Sequence, residues 1–249
     1  MDLKKCYHEE DLFPKIFATY EERYYGLLFY DENNKESYYS NHALVYKDKI
    51  DDLHKVLEDI KSFYFSKKLK VFIFQSMLDD GYFNQIKKNL EKEGFKILNK
   101  EQKYMLPLAE NEIVPNKNIK VSRHSNWDES YSRVFIEAEL PWEVKIAREI
   151  MKTPSSFIFV ALKDDKLIGL LYGHFGAEVC RADYLIVLKN GRGMGVGGTL
   201  FYSFVKWIQQ EKIENTYVWP GGPIPEKIYF KGGYRHVDTK YACRAILEE

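Results

Sequence analysis

The fold of this chain is decided by Tyr184-Leu-Ile-Val-Leu188 and by the ten residues that follow it, Lys189-Asn-Gly-Arg-Gly-Met-Gly-Val-Gly-Gly198. The first five residues have the length and the β-branched composition of a buried strand. Five glycines among the next ten residues interrupt this pattern, and apolar residues then recur at helical spacing from Leu200 to Ile208. The sequence therefore predicts a strand, a glycine-rich turn and a helix.

The predicted turn has the properties of a phosphate-binding loop. Glycines let a backbone turn tightly and approach a ligand closely, and the first amide groups of a helix have no partner within that helix. The helix dipole adds roughly half a positive charge at the same end. Arg192 adds a full positive charge. The alternative is a tight turn between strand and helix that binds no ligand.

Three phosphate-binding motifs could account for this segment, and the spacing of its glycines and charged residues distinguishes them. A P-loop is excluded because Gly197-Gly198-Thr199 lacks the lysine that precedes the hydroxyl residue. Gly193-x-Gly195-x-x-Gly198 matches the dinucleotide fingerprint, but that fingerprint requires an acidic residue at the end of the next strand and further βα units. Glu214 lies before the next predicted strand, so the match is weak.

The third motif fits best. Arg192-Gly-Met-Gly195-Val-Gly197 has the pattern R-x-x-G-x-G, and Tyr229-Phe-Lys-Gly-Gly-Tyr234 follows it downstream. Together these segments resemble the coenzyme-binding motif and the late Tyr-x-Lys-x-Gly-Phe segment of the GNAT N-acetyltransferases. The resemblance covers Asn118–Glu249. It implies a mixed-sheet α/β (α+β) fold and an enzyme that transfers an acetyl group from acetyl-CoA to a primary amine.

The resemblance also implies roles for individual residues. Tyr229 would be the general acid that protonates the departing thiolate. The sequence departs from the family pattern at Gly222 and Pro225, which puts in doubt one hydrogen bond to the pantetheine arm and the start of the following helix. The implied cofactor-binding residues lie at the end of the strand, in the turn and at the start of the helix: Leu185, Ile186, Val187, Arg192, Gly193, Met194, Gly195, Val196, Gly197, Gly198 and Thr199.

The general base is less defined. Strand alternation predicts Arg181, Asp183, Leu185 and Val187 on one side, so Asp183 is a candidate base facing the cleft. The alternatives are a structural salt bridge between Asp183 and Arg181, a base role for Glu178 or His174, and a chain of waters. The predicted helices 125–139 and 142–151 carry aromatic and acidic residues, which either line the acceptor site or form plain core and solvated surface.

The N-terminal half repeats the predicted order of strands and helices, with a strand over 37–46, an amphipathic helix over 51–65 and a helix over 79–93, but without the glycine turn. In its place stands Lys47-Asp-Lys-Ile-Asp-Asp52, whose three acids would repel phosphate. We interpret residues 1–112 as a degenerate GNAT-like domain that binds no nucleotide cofactor, residues 109–118 as a linker and residues 117–249 as the GNAT domain. The alternative is an unrelated α/β extension.

The composition of the chain argues against several classes of protein. The 249 residues include 37 Lys and Arg and 37 Asp and Glu, so there is no basic footprint for nucleic acid. No apolar run is long enough for a membrane span or a signal peptide, and we expect a cytoplasmic protein without a membrane partner. Three cysteines and six histidines show no metal-ligand spacing, which predicts no metal site.

Two classes of function stay open. The first is an acetyl-CoA-dependent N-acetyltransferase that acts on a small-molecule amine or, as a second choice, on a protein amine. The other is a non-catalytic protein that binds or senses acyl-CoA, with the tandem domain serving a partner. Arg192 and the spaced glycines favour coenzyme binding in both classes, whereas Tyr229 favours catalysis.

Overall fold

The computed structural model describes residues 2–241 and 243–248 and divides the chain into two compact units. The N-terminal unit contains Asp2–Gln102 and Thr239–Glu249, and the C-terminal unit contains Lys103–Asp238. These bounds differ from the predicted boundaries of 1–112 and 117–249. The predicted linker, residues 109–118, falls within the C-terminal unit, and the last eleven residues fall within the N-terminal unit.

The described residues form a mixed α/β fold, as predicted. The strands are β1 (Thr19–Arg23), β2 (Gly26–Tyr30), β3 (His42–Val45), β4 (Phe72–Gln75), β5 (Phe95–Leu98), β6 (Glu101–Pro107), β7 (Lys120–His124), β8 (Ser156–Lys163), β9 (Lys166–Phe175), β10 (Cys180–Val187), β11 (Thr216–Tyr217), β12 (Tyr234–Tyr241) and β13 (Arg244–Leu247). The helices are α1 (Leu3–Leu12), α2 (Leu53–Ser66), α3 (Tyr82–Gln85), α4 (Lys87–Lys92), α5 (Ser132–Glu137), α6 (Glu143–Ile150), α7 (Val196–Gln210) and α8 (Pro223–Lys231).

The C-terminal unit is built on a five-stranded sheet in the order β11-β10-β9-β8-β7. Neighbours from β7 to β10 are antiparallel, while β10 and β11 are parallel. Helix α7 packs on one face, where Leu200, Phe201 and Phe204 share an apolar core with Phe157 and Phe159 of β8. The strand, glycine turn and helix predicted from residues 184–208 are therefore present as β10, the turn and α7.

The N-terminal unit has a six-stranded sheet in the order β1-β2-β3-β4-β13-β5. Strands β1 to β3 are antiparallel, β3 and β4 are parallel, and β13 is antiparallel to both of its neighbours. Helix α2 buries Val56, Leu57 and Ile60 against Leu28 and Ile73 of this sheet. The amphipathic helix predicted over 51–65 is thus present, two residues later at its start.

Both sheets follow one strand plan. In each, antiparallel strands lead to a parallel pair, and an antiparallel strand follows: β13 beside β4, and β6 beside β11 through the bridge between Met105 and Val218. β6 also pairs with β12. The strand added beside each parallel pair, β13 or β6, comes from the other half of the sequence. Because the predicted domains were continuous segments of the chain, their boundaries differ from those of the two units. The shared plan is what a duplicated domain would produce.

Several local predictions differ from the structure in extent. The strand predicted over 37–46 is confined to β3, because Asn41 donates hydrogen bonds to the carbonyl oxygens of Asn34 and Ser37 and holds the preceding residues in a turn. The helix predicted over 79–93 is split into α3 and α4. Helix α8 does begin after Gly222, with Pro223 in its first turn, where the fixed φ of proline suits a helix start.

No helix within residues 2–241 and 243–248 combines the length and the apolar character that a membrane crossing needs.

Asp11 is a buried carboxyl near the end of α1, with an exposed fraction of 4%. Its Oδ2 accepts a hydrogen bond from Ser76 Oγ at 2.5 Å, and its Oδ1 accepts one from the Met77 amide at 2.9 Å. Burial raises the pKa of Asp11 from 3.8 to about 7, although both hydrogen bonds act to lower it. A carboxyl whose pKa is higher in the folded state stabilises the fold fully below its unfolded pKa and loses that contribution as the pH rises through its folded pKa.

We therefore expect the free energy of unfolding to decrease between about pH 4 and pH 7, with Asp11 contributing up to about 4 kcal/mol of that decrease. Asp11→Asn should remove this share, because the side chain no longer titrates. Urea unfolding of both proteins across this pH range measures the difference. Asp48→Asn changes an exposed aspartate and should keep the wild-type dependence. Identical pH profiles for Asp11→Asn and the wild type would contradict the assignment.

Candidate active site

Strand β10 contains a β-bulge at Asp183. Its register with β9 pairs Ala182 with Gly173 and Tyr184 with Tyr172, so Asp183 has no residue opposite it. A bulge bends the strand and turns the side chains around it toward new directions, and bulges are common beside active sites.

The bulge separates Asp183 from the residues that strand alternation places with it. Ala182 before the bulge and Leu185 and Val187 after it contribute to the apolar core under α7. Asp183 instead forms an ion pair with Arg181, at 2.5 Å between Oδ1 and Nε. The predicted alignment of Asp183 with Leu185 and Val187 therefore does not hold, while the alternative salt bridge to Arg181 is present.

Asp183 is the centre of a buried polar cluster. Its Oδ2 lies 3.2 Å from Nδ1 of His174 on β9, and the side chains of Asp183, His174 and Arg181 are 1%, 0% and 6% exposed. Arg181 also lies over the ring of Trp219 at 5.8 Å. Two of the residues weighed as the base, Asp183 and His174, thus lie side by side, and both Asp183 oxygens have partners.

Glu143, the first residue of α6, adds a second buried carboxyl to this region. Its Oε1 accepts a hydrogen bond from the Tyr184 hydroxyl at 3.0 Å. Burial raises the pKa of Glu143 from 4.5 to about 7; the Tyr184 hydrogen bond lowers it, and the negative charge of Asp183 raises it. Glu143 can therefore gain or lose a proton near neutral pH. In the sequence it is only one of several acidic residues on a predicted helix.

Aromatic rings surround this pair of carboxyls. The rings of Tyr172 and Tyr184 are stacked with centroids 5.7 Å apart, and Phe135 of α5 packs against Tyr172 at the same distance. Phe135 is therefore a core residue, whereas Glu143 lies within electrostatic range of Asp183 and Arg181.

The turn after β10 presents backbone rather than side chains. Gly193 and Gly195 both have φ of 76°, a left-handed conformation that favours glycine, and residues 192–195 are exposed. Gly195 is the N-cap of α7, and no side chain within the described residues caps that helix. The first amides of α7 are thus left without a side-chain acceptor at an exposed, positively polarised end.

The remaining predicted cofactor residues lie around this turn. Val196, Gly197 and Thr199 are buried in the first turn of α7, and Met194 is 39% exposed. A side chain at Gly197 would come within 3.0 Å of Ile228 on α8, so a glycine lets the two helices approach. Gly198 is half-buried beside Ile113.

The end of β10 leads into the turn along an edge that β11 covers only in part. β11 pairs with β10 at Cys180 and Arg181, before the bulge. The predicted residues Leu185, Ile186 and Val187 follow the bulge, and the Arg192 Nε donates back to the Val187 carbonyl oxygen at 3.4 Å. The pairing with β11 therefore ends before Leu185–Val187, the segment that leads into the turn.

Tyr229 lies on α8 with its ring buried against Phe201 of α7, at 4.7 Å between centroids. Burial raises the pKa of Tyr229 above its ordinary value, and the negative charge of Asp183 raises it further. The structure therefore brings Tyr229 and Asp183, the two predicted catalytic residues, within electrostatic range of each other. It also keeps the phenol protonated at neutral pH.

Helix α2 of the N-terminal unit, which like α7 joins two parallel strands, begins differently from α7. Helix α2 is capped by Asp52, whose Oδ1 accepts a hydrogen bond from the Lys55 amide at 3.3 Å. The Asp79 carboxylate accepts another from the Lys47 amide at 2.8 Å. Carboxylates of the chain thus occupy amides at positions where a phosphate would need them free.

One group in the N-terminal unit has the composition of a metal site: His54, Glu58 and Glu93 offer ligand atoms within 4.8 Å of one another. However, Lys61 Nζ lies 3.0 Å from carboxylate oxygens of both Glu58 and Glu93. His54 Nδ1 lies 2.8 Å from Glu93. The group is therefore an exposed ion-pair network in which a lysine ammonium already neutralises the carboxylates.

Comparison with known proteins agrees with this geometry. Residues 122–221 match the family model for the acetyltransferase (GNAT) family. A search of curated protein sequences found no match to this chain.

Solved structures share the fold over the whole chain. A conserved protein of unknown function from Staphylococcus epidermidis aligns with 100% of this chain and 98% of its own, at 14% identity and a TM-score of 0.68. A GCN5-related N-acetyltransferase from Kribbella flavida aligns over 98% and 95%, at 13% identity and a TM-score of 0.66. One from Sphaerobacter thermophilus covers 84% and 74%, at 11% identity and a TM-score of 0.57. At these identities the likeness shows the fold.

The hydrogen bond from Tyr184 yields a prediction about Glu143. Tyr184→Phe removes a donor that stabilises the ionised carboxylate, so the pKa of Glu143 should rise above about 7. A titration of the Glu143 carboxyl carbon by NMR measures the change. Tyr131→Phe alters a hydroxyl that lies 3.2 Å from His124 and should leave this titration unchanged. An unchanged pKa of Glu143 in Tyr184→Phe would contradict the role assigned to this hydrogen bond.

Proposed function

We propose that the chain transfers an acetyl group from acetyl-CoA to the primary amine of a small molecule, starting from the match of residues 122–221 to the model of the acetyltransferase (GNAT) family. The observation that carries the proposal is the glycine start of α7, which has no side-chain cap, together with Tyr229, which is buried on α8 against Phe201 of α7. The first feature supports coenzyme binding and the second supports catalysis.

The residues present fit the coenzyme. Its pyrophosphate needs bare amides at a helix start, and Gly193–Gly198 offers them without a competing carboxylate cap. Arg192 is exposed beside the turn and adds a cation. The uncovered edge of β10 at Leu185–Val187 offers backbone groups to the pantetheine arm. When bound, acetyl-CoA would supply the acetyl group as a thioester.

Tyr229 is the proposed general acid. Transfer breaks the bond between the acetyl carbon and sulfur, and the departing thiolate takes a proton. A tyrosine phenol, whose ordinary pKa is near 10, is protonated at neutral pH and has a proton to donate. Burial and Asp183 raise the pKa of Tyr229 and make it a weaker acid, so the proposed role depends on close placement of the phenol beside the departing thiolate.

Two carboxyls are candidates for accepting the proton that the amine loses. Asp183, the residue predicted from sequence, has both oxygens engaged by Arg181 and His174. Glu143 has a pKa of about 7, close to the pH at which it would act, which is where a general base is most effective. We assign proton acceptance to Glu143, with Asp183 holding His174 and Arg181 in place.

The acceptor is proposed to be a small amine because the cluster is enclosed. Glu143 is 2% exposed, and the side chains of Asp183, His174 and Arg181 are nearly inaccessible. Carboxyls and stacked tyrosine rings suit an ammonium group, which aromatic faces and negative charge both attract. A non-catalytic acyl-CoA sensor stays the second candidate, since the turn would serve both functions. We expect the chain to act in the cytoplasm.

The N-terminal unit is proposed to bind no coenzyme. Asp52 and Asp79 already accept hydrogen bonds from backbone amides there, and a phosphate would have to displace them against charge repulsion. Its role is proposed to be structural support or partner binding.

The first functional prediction concerns the turn. Acetyl-CoA at a hundredfold excess over its Kd should stabilise the wild type by about 2.7 kcal/mol, seen as a rise in Tm. Gly195→Val should abolish this rise, because a β-branched residue resists the positive φ found there. Gly221→Val is the matched control, since a side chain there meets open space and no left-handed φ. A wild-type protein whose Tm is unmoved by saturating acetyl-CoA would refute coenzyme binding.

The second functional prediction concerns Tyr229. Tyr229→Phe keeps the ring packed on Phe201 but removes the hydroxyl, so kcat should fall about 10²- to 10⁴-fold while the Kd for acetyl-CoA changes little. Coenzyme A release with an amine panel measures kcat, and calorimetry measures Kd. Tyr202→Phe, on α7, is the control and should retain activity. An undiminished kcat in Tyr229→Phe, with chemistry limiting the rate, would remove the acid role and favour the sensor.

A further inference from the structure

The segment 109–119, which includes the predicted linker 109–118, is an ordered part of the C-terminal unit. We call it the strap. Its Ala109 amide donates to the Gly233 carbonyl oxygen at 2.9 Å, and its Glu112 amide donates to the Lys231 carbonyl oxygen at 2.8 Å. These bonds attach the first half of the strap to the end of α8.

Ile113 continues the strap between α7 and α8. Its Cγ2 lies 3.6 Å from the position that a side chain at Gly198 would occupy, and its Cδ1 lies 3.4 Å from the corresponding position at Gly232. Ile113 also packs against the apolar core of the unit. The strap is thus fixed in place before it reaches the glycine turn.

Asn116 connects the strap to the turn itself. Its side-chain Nδ2 donates a hydrogen bond to the Met194 carbonyl oxygen at 2.9 Å, and its backbone amide donates to Thr199 Oγ1 at 3.0 Å. The Thr199 hydroxyl in turn donates to the Gly195 carbonyl oxygen at 2.9 Å. Asn116 is therefore bonded to both sides of the N-cap of α7.

The orientation of the Asn116 side chain is set locally. Its Oδ1 accepts a hydrogen bond from the Asn118 amide at 2.9 Å, and the Asn116 carbonyl oxygen accepts one from the Ile119 amide at 3.1 Å. With Oδ1 engaged in this turn, Nδ2 is directed at Met194. This geometry is a side-chain turn of the kind that asparagine forms with the residue two positions later.

A hydrogen bond to the Met194 carbonyl group restricts the conformation of the turn. Met194 stands between Gly193 and Gly195, the two left-handed glycines, and glycine loses more conformational freedom on ordering than any other residue. A turn held before the ligand arrives has less freedom to lose on binding. A single hydrogen bond to the peptide between the two glycines constrains both of them.

We propose that Asn116 is a positioning residue for the coenzyme, which preorganises the Gly193–Gly195 turn so that the amides of α7 face the pyrophosphate. The inference rests on the proposed function, because it assigns the turn to acetyl-CoA. Asn116 acts through the turn and takes no part in the chemistry. Its loss should therefore raise the Kd and KM for acetyl-CoA and leave kcat unchanged.

The test compares three single substitutions in the strap, two at Asn116 and one at Asn111. Asn116→Ala removes all side-chain bonds, and Asn116→Ser retains an oxygen for the Asn118 amide but is too short to donate to Met194. Asn111→Ala removes a different strap contact, in which Oδ1 accepts a hydrogen bond from the Ile113 amide at 3.0 Å. Calorimetry with acetyl-CoA should show about a three- to tenfold higher Kd in both Asn116 variants and no change in Asn111→Ala.

Hydrogen–deuterium exchange of the ligand-free protein supplies a readout that does not depend on the coenzyme. Residues 192–199 should exchange faster in both Asn116 variants than in the wild type, and at the wild-type rate in Asn111→Ala. Equal exchange and equal Kd in all four proteins would overturn the inference, as would equal weakening by Asn111→Ala, which would make the strap a general anchor. If the wild type binds no acetyl-CoA, the proposed function fails, and the exchange measurement still decides whether Asn116 holds the turn.

Discussion

No side chain of the described residues caps the start of α7. The surrounding elements hold this helix start in place while leaving the turn before it exposed. Gly195 begins the helix in a left-handed conformation and is exposed together with residues 192–194. Strand β10 delivers the chain to this point from the centre of the sheet. The close approach of α8 at Gly197 and the contact of the strap at Gly198 and Thr199 then fix the helix position. Exposed amides and firm support are both needed for an anion site.

The bulge at Asp183 gives β10 a second role. Without the extra residue, Asp183 would alternate with the apolar residues that face α7, and a carboxylate would be buried in a hydrophobic core at high cost. With it, Asp183 meets Arg181 and His174 and adds its charge to the environments of Glu143 and Tyr229. The bulge thus places the charge of Asp183 where it affects the pKa of Glu143 and of Tyr229.

The two units show how one strand plan supports two outcomes. Both contain a parallel pair followed by an inserted antiparallel strand, but the helix that joins the parallel pair has a glycine, Gly195, as its N-cap in the C-terminal unit and Asp52 in the N-terminal unit. In the N-terminal unit, Asp52 caps α2 with its own carboxylate. The difference between a helix start that can bind an anion and one that is already satisfied is therefore a change of residue type within one turn of chain.

The sequence by itself determined the features that depend on near neighbours along the chain. Apolar period and glycine spacing are local properties, so they predicted β10, the turn and α7 correctly. Only the tertiary structure decided which distant groups meet. The bulge at Asp183 is a mismatch of register between two strands, the pKa of Glu143 depends on burial and on Tyr184, and the contact of Asn116 with Met194 joins residues far apart in the chain. The positions of β6 and β13, each paired with strands from the other half of the sequence, were likewise decided by the tertiary structure. The spacing of residues along the chain does not predict this pairing, because any strand of suitable composition can complete a sheet edge.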